Sequence, residues 1–269
     1  MIKTNNLNSK FAIVNYAAIW ILAKRELYEF FRSKTRLITS IAQGLLFLLI
    51  FSSGFAFINI NIGGVAIDSR AFVASGIAAI IILFNGIFGG MSILRDKMFG
   101  FMKELIVAPV SRRTLMTGKT LGLTLQTLIH VEILLGLSTV MGFFGYDISL
   151  ILRMILIIPV AFLASLGIVG MGLTISTRLK DFQSFGIIQT FIVMPMFWFS
   201  GALFAFNNVP FFMQVIIMCN PFSYSVDLFR AVLLGVSFFP IWLDLTVMTL
   251  FGILFILLGA RSFNRMEVS

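Results

Sequence analysis

The chain has 269 residues, 59% of them hydrophobic and only 12% charged, with a mean hydropathy of +1.04. Soluble domains are roughly 45–50% apolar and carry charge in every element to cover their surface, so these figures exclude a soluble protein and mark an integral membrane protein. One Cys (Cys219) excludes an internal disulfide framework, one His (His130) with no cysteine cluster argues against zinc, and a formal charge of +9 on so apolar a chain suits anionic lipid headgroups rather than nucleic acid.

Residues 1–10 read as a polar, basic tail. The apolar stretch 11–23 leads into KRELYEFFRSKTR with no small-residue cleavage site, so it is not a signal peptide. Within 16–33, Trp20, Leu27, Phe30 and Phe31 alternate with Lys24, Arg25, Glu26 and Arg32, which predicts an amphipathic helix lying in the inner membrane interface.

Six apolar runs follow at 37–60, 71–94, 117–143, 151–175, 183–204 and 240–260, each near the roughly 20 residues needed to cross the hydrocarbon as helix. Lys and Arg concentrate in 1–36, 95–119, 178–181 and 261–269, leaving only Arg70, Arg153 and Arg230 elsewhere. By the positive-inside bias both termini and the 95–119 loop are cytoplasmic, which requires an even number of spans. The expected organisation is a cytoplasmic N-terminus, 1–36, and one six-span transmembrane domain, 37–269. Gly86 with Gly90 and Gly118 with Gly122 have the four-residue spacing that lets membrane helices approach closely.

The loop 95–113 holds most of the interest. Its continuation TGKT, 117–120, ends like a phosphate-binding loop, but Arg113 occupies the position of the required earlier glycine and no strand precedes it, so this chain does not bind ATP by that route. Met98, Phe101, Met102 and Leu105 fall at i, i+3, i+4 and i+7 with Gly100, Lys103 and Glu104 off that face, predicting a short amphipathic helix ended by Pro109. Ser111 is placed to cap the next helix. Arg112 and Arg113 then sit in its first turn, against the macrodipole, and call for phosphate headgroups or an acidic partner. Topology alone makes such a loop basic, but it does not require an apolar stripe.

In the third run, Glu132 with His130 nearby is an ionisable pair at a costly depth, either lining a transport path or held neutral or paired against a neighbouring helix. The region 205–235 is too polar for one span. Its two pieces around Asn220-Pro221 are too short to cross and suit re-entrant or interfacial helices, with Asp227 and Arg230 spaced to pair at i, i+3.

Two motifs then carry a resemblance. The run RDKMFGFMKELIVAPVSR supplies Arg95, Asp96, Gly100, Glu104, Leu105, Pro109 and Val110 in order, and residues 200–235 supply Ser200, Gly201, Phe204, Pro210, Asn220, Pro221, Tyr224, Asp227 and Arg230. Together they resemble the signatures of type 2 ATP-binding cassette exporter permeases of the daunorubicin-resistance-like kind, with Asp96, Ala205 and Val209 departing from the usual Glu, Pro and Leu. The resemblance implies an all-α integral membrane fold: six transmembrane helices, an N-terminal interfacial amphipathic helix, a cytoplasmic coupling helix and two short re-entrant helices before the last span. It implies that Phe101, Met102, Lys103, Glu104, Leu105, Pro109, Arg112 and Arg113 meet a separate nucleotide-binding subunit, which holds the ATP and Mg2+. It further implies that Pro210, Asn220, Pro221, Tyr224, Asp227 and Arg230 belong to an external gate, and that a second permease copy completes the path. This chain then has no catalytic, metal or cofactor site of its own. The cargo is drugs or other amphipathic, lipid-like molecules, with a lipid-linked glycan or polysaccharide as the alternative; Phe outnumbers Tyr and Trp by 31 to 4 and 3, which leans away from sugar stacking. A membrane-embedded enzyme or an assembly subunit is the reading from another class.

Overall fold

The computed structural model of the protein describes residues 16–55, 60–62, 65–100, 111–206 and 209–264. Helix α1 (Tyr16–Arg32) breaks at Ser33, and α2 (Lys34–Phe55) follows. Strands β1 (Ile60–Ile62) and β2 (Val65–Ile67) pair antiparallel, Ile60 opposite Ile67, before α3 (Ser69–Gly89). Asp68 caps α3 by accepting the Arg70 amide at 2.8 Å. Gly90 joins α3 to α4 (Met91–Met98). Ser111 caps α5 (Arg112–Val140) as its position predicts, accepting the Thr114 amide at 3.1 Å. Next come α6 (Ser149–Arg178), α7 (Phe182–Ile188), a π-helical turn (Gln189–Val193) and α8 (Met194–Trp198). The chain then forms α9 (Phe211–Cys219), α10 (Pro221–Leu234) and α11 (Ile241–Asn264).

Apart from the β1–β2 hairpin the regular structure among the described residues is helical. Four stretches are long and apolar enough to cross a membrane: 69–98, 112–140, 149–178 and 241–263. The first and fifth expected spans correspond to shorter apolar helices, Ile41–Gly54 and Phe182–Trp198. The second of these is interrupted for a chemical reason. Pro195 has no amide to donate, and the turn before it widens so that the Met194 amide reaches back five residues to the Gln189 carbonyl.

Helix α3 is apolar on all sides and sits at the centre, as such a helix must. Phe72, Val73, Ile77, Ile82, Leu83 and Ile87 are all buried, against α6, α5, α10 and α2. The Gly86/Gly90 pair lets α3 lie directly on α6: a Cβ on Gly86 would come within 2.8 Å of Ile168, and one on Gly90 would collide with the Gly172 carbonyl. The Gly118/Gly122 pair serves a different neighbour. There α1 runs alongside α5 for about three turns, with Leu22 against Gly118, Ala23 and Glu26 against Gly122, and Phe30 against His130.

This packing corrects the expected face of α1. Ala23, Glu26 and Phe30 are buried, while Trp20 and Phe31 are exposed, so Glu26 belongs to the inward stripe and two of the aromatic residues point away from it. Small residues at the α5 contact, not the bulk of the aromatics, decide which side of α1 turns in.

The bundle has a basic end, where α4, α6 and α11 finish and α5 begins, and a far end carrying Arg70, Arg153, α9 and α10. Gly89 of α3 lies opposite Leu123 of α5. The 21 residues of α3 span roughly 31 Å, enough to cross the hydrocarbon.

Candidate functional site

At the basic end three cations fix the helices around the 101–110 segment. Lys119 is buried in α5 with its ammonium 2.9 Å from Glu26 of α1 and 2.7 Å from Asp96 of α4. Lys97, near the end of α4, donates to the carbonyls of Thr177 and Leu179 at the end of α6. Arg112, first residue of α5, donates to the Phe263 carbonyl of α11 at 3.0 Å. The last carbonyls of a helix lack intrahelical partners and carry the negative end of its dipole, so a cation there satisfies both needs. The segment 101–110 therefore leaves from a helix tied to α6 and returns through a residue tied to α11.

This geometry accounts for features that sequence left open. The TGKT of 117–120 places Gly118 against α1 and Lys119 between two carboxylates, so its glycine and lysine serve packing and ion pairing. Arg112 opposes the dipole of its own helix but meets the favourable end of another, whereas Arg113 is exposed. The expected amphipathic helix beginning at Met98 is corrected at its start. Helix α4 ends at Met98, and Gly100 has φ +80°, a left-handed backbone that stops a helix there. Phe101, Met102, Lys103, Glu104, Leu105 and Pro109 lie outside the described residues.

At the far end the polar residues Asn220, Tyr224, Asp227 and Arg230 of the second motif each hold a piece of backbone. Asn220 caps α10 through the Phe222 amide at 3.1 Å, and its amide group donates to the Met196 and Phe199 carbonyls at 2.7 and 3.0 Å. Pro221 takes the first helical position, where its missing amide costs nothing. Pro210 starts α9, its carbonyl accepting from Met213 and Gln214. The Tyr224 hydroxyl donates to the Met218 carbonyl at 2.7 Å, closing α9 onto α10.

Asp227 and Arg230, expected to pair, are not joined by an ion pair among the described residues. Asp227 accepts the amides of Phe238 at 2.9 Å and Phe239 at 2.7 Å, just before α11. Arg230 is buried, donates to the Gly201 and Ala202 carbonyls at 2.7 and 2.9 Å, and stacks 3.7 Å over the Phe72 ring. A guanidinium so enclosed needs such partners, and Gly201, at φ +70°, is what turns two successive carbonyls toward it.

His130 and Glu132 are not brought together. Two residues apart on a helix, they point about 200° from one another. His130 is buried edge-on against Phe30, ring centroids 4.9 Å apart. Glu132 is half-buried, its Oε1 without a hydrogen-bond partner among the described residues, on the side of α5 that continues to the open Gly136 and the exposed Val140. Nine residues beyond Leu123 along α5, it lies roughly 13 Å farther from the basic end. Between α6 and α7, Asp181 caps α7 by accepting the Ser184 amide at 2.7 Å. That bond holds its carboxyl below the usual range, so the cap persists at neutral pH and is lost only as pH falls through the lowered value.

Sequence reasoning missed Glu26, Asp96 and Lys119 as one ion-paired unit, and Lys97 as the tie from α4 to α6. The signal available was a glutamate on the Leu22–Ala23–Phe30 stripe of α1 and a lysine inside an apolar run. It also passed over Asp244, fully buried in the first turn of α11.

Residues 17–234 match the family described as ABC-2 type transporter. The chain is 23% identical over 275 residues to the transport permease ycf38 of Cyanophora paradoxa, covering 98% of this chain and 92% of that one. It is 25% identical over 207 residues to the ycf38 permease of Porphyra purpurea, covering 77% and 70%. It is also 25% identical over 169 residues to the multidrug ABC transporter permease YbhR of Escherichia coli K12, covering 62% and 45%.

Proposed function

Because the chain belongs to the ABC-2 type transporter family and is therefore a membrane component of a transporter, we propose that it acts as an exporter permease. Two copies assemble with separate nucleotide-binding subunits that hydrolyse ATP with Mg2+, and amphipathic or lipid-like molecules, drugs among them, move outward. The observation that carries this reading is the anchoring of the 101–110 segment on both flanks, by Lys97 to α6 and by Arg112 to α11. A push on that segment from a partner reaches two long helices directly, besides the α4 and α5 it connects.

In this reading α2 and the 182–198 segment complete six spans, the basic end and both termini face the cytoplasm of a cell membrane, and α9 with α10 form the outer gate. The exposed Trp20 and Phe31 of α1 sit among headgroups at the inner interface. Segment 101–110 supplies the coupling contact through Phe101, Met102, Lys103, Glu104, Leu105 and Pro109, with the exposed Arg113 beside it. The open side of α5 at Glu132 faces the transport path and the second copy. The amphipathic cargo is supported by the phenylalanine-rich, tyrosine-poor composition and by the likeness to the multidrug ABC transporter permease YbhR.

The test is Glu104→Lys in the chain reconstituted with its nucleotide-binding subunit. The variant is expected to insert normally and to lose cargo export while ATP hydrolysis continues. Export at the wild-type rate would remove this segment from the coupling contact.

A further inference from the structure

Between α10 and α11 the chain turns back on itself. Gly235, at φ +72°, ends α10 in the left-handed conformation that glycine adopts without strain. The return carries the Phe238 and Phe239 amides to Asp227 and leaves a small pocket under the turn. Asp227 and Arg230, both buried, form its floor. Ala205, Phe206, Val236 and Phe238 are its apolar walls, and the exposed Ser237 stands at its mouth. It has room for about one water-sized group, too little for a phosphate or a carboxylate.

The floor keeps hydrogen-bonding capacity that the fold does not use. A guanidinium has more N–H donors than two carbonyls can take. The Gly201 and Ala202 carbonyls both draw on Nη2, and no acceptor among the described residues meets Nε. Asp227 Oδ2 accepts two amides but Oδ1 only one, so Oδ1 has room for a further bond.

Enclosed polar groups without partners are costly, and what would relieve these is narrowly defined. It must accept from Arg230, which rules out an ammonium or a metal cation. By size it is a single oxygen. The rest of its surface must be apolar, because the Phe206 and Phe238 rings stand stacked in the wall, centroids 4.6 Å apart. A water molecule turns a spare hydrogen toward those walls, whereas a hydroxyl on carbon has an apolar stem in its place. A hydroxyl also donates as well as accepts, so it can bond Asp227 Oδ1 whether that carboxyl is charged or neutral.

We propose that this pocket binds the hydroxyl group of a neutral amphiphile. Arg230 donates to the oxygen, Asp227 bonds the same hydroxyl, and the alkyl stem leaves past Phe206, Phe238 and Ser237. The site is distinct from the open side of α5 at Glu132, and it stands whether or not α9 and α10 gate export.

The experiment uses the full chain in lipid nanodiscs, with Ser237→Cys carrying a trifluoromethyl label for fluorine NMR. Cys219→Ser is the background, since Cys219 is itself exposed. Dodecanol is expected to shift the fluorine resonance saturably, while dodecane and dodecanoate do not. Ala205→Leu, which fills the pocket from its wall, should weaken the dodecanol response by about tenfold or more; should that variant not fold, Val236→Phe fills it from the mouth. No saturable shift with dodecanol would overturn the proposal by leaving the pocket to water alone. An equal shift with dodecane would show partition into the bilayer, and a stronger one with dodecanoate an oxyanion site; either refutes the hydroxyl assignment. A dodecanol response undiminished in the filled variant would place the binding elsewhere.

Discussion

Removing the ammonium of Lys119 would leave Glu26 and Asp96 facing one another in a covered site, two like charges where there had been one bridge. Breaking a buried ion pair by deleting one partner costs about 3–5 kcal/mol, whereas exchanging the whole group for apolar residues of similar size is often neutral. Lys119→Met is therefore expected to lose about 3–5 kcal/mol of stability, measured by denaturant unfolding in detergent. The triple variant Lys119→Met, Glu26→Leu, Asp96→Leu should recover most of that loss. A triple variant no more stable than the single would locate the damage in packing instead of charge. Arg230 is a different kind of buried cation, since its planar fork serves two carbonyls and an aromatic face at once. Arg230→Lys keeps the charge but cannot reproduce that geometry, and it should lower the unfolding midpoint although it is formally conservative.

At the level of elements, close approach is what the glycines provide, and they are not equivalent. A Cβ at Gly122 would sit 3.0 Å from the Ala23 backbone of α1, while one at Gly136 meets open space. Gly122→Val is expected to displace α1 and expose the chain around Lys24 and Arg25 to trypsin, at a cost of about 1–3 kcal/mol for overpacking. Gly136→Val should leave both stability and digestion unchanged, and equal effects of the two would deny the distinction. The helices themselves were legible in the sequence, because an apolar run near 20 residues has few other folds open to it in lipid; α3, α5, α6 and α11 follow the expected runs, with ends shifted by a few residues. The cap at Ser111 was legible because its signal is equally local. What was not legible depends on contacts between distant segments. The phase of α1 is set by glycines nearly a hundred residues away, the role of Arg112 by the end of α11, and the partners of Asp227 and Arg230 by loops on either side of α10. Each is a tertiary choice among local alternatives that the sequence leaves equal.

On the scale of the whole molecule, the polar groups sort by depth. Lys97, Lys119 and Arg112 sit at the basic end, Asp227, Arg230 and Asp244 at the far end, and Glu132 stands within the apolar band on the open side of α5. A carboxyl group placed there without a partner carries a cost that packing does not repay, and intramembrane ionisable groups that face a cavity mark the routes of ions and polar cargo. If the open side of α5 lines the transport path, a positive cargo gains an attraction there that a neutral cargo of the same size does not. Glu132→Gln keeps the shape and removes the charge. In proteoliposomes with the nucleotide-binding subunit it should slow export of an amphipathic cation by about tenfold, the worth of roughly 1.4 kcal/mol, and leave a neutral amphiphile unaffected. Equal slowing of both would mean that the carboxyl supports the fold or the dimer contact, and the path would then have to be sought on another face. Equal indifference, with a raised unfolding midpoint, would show that the group is an unrepaid cost in this face of the helix and not a contact for cargo.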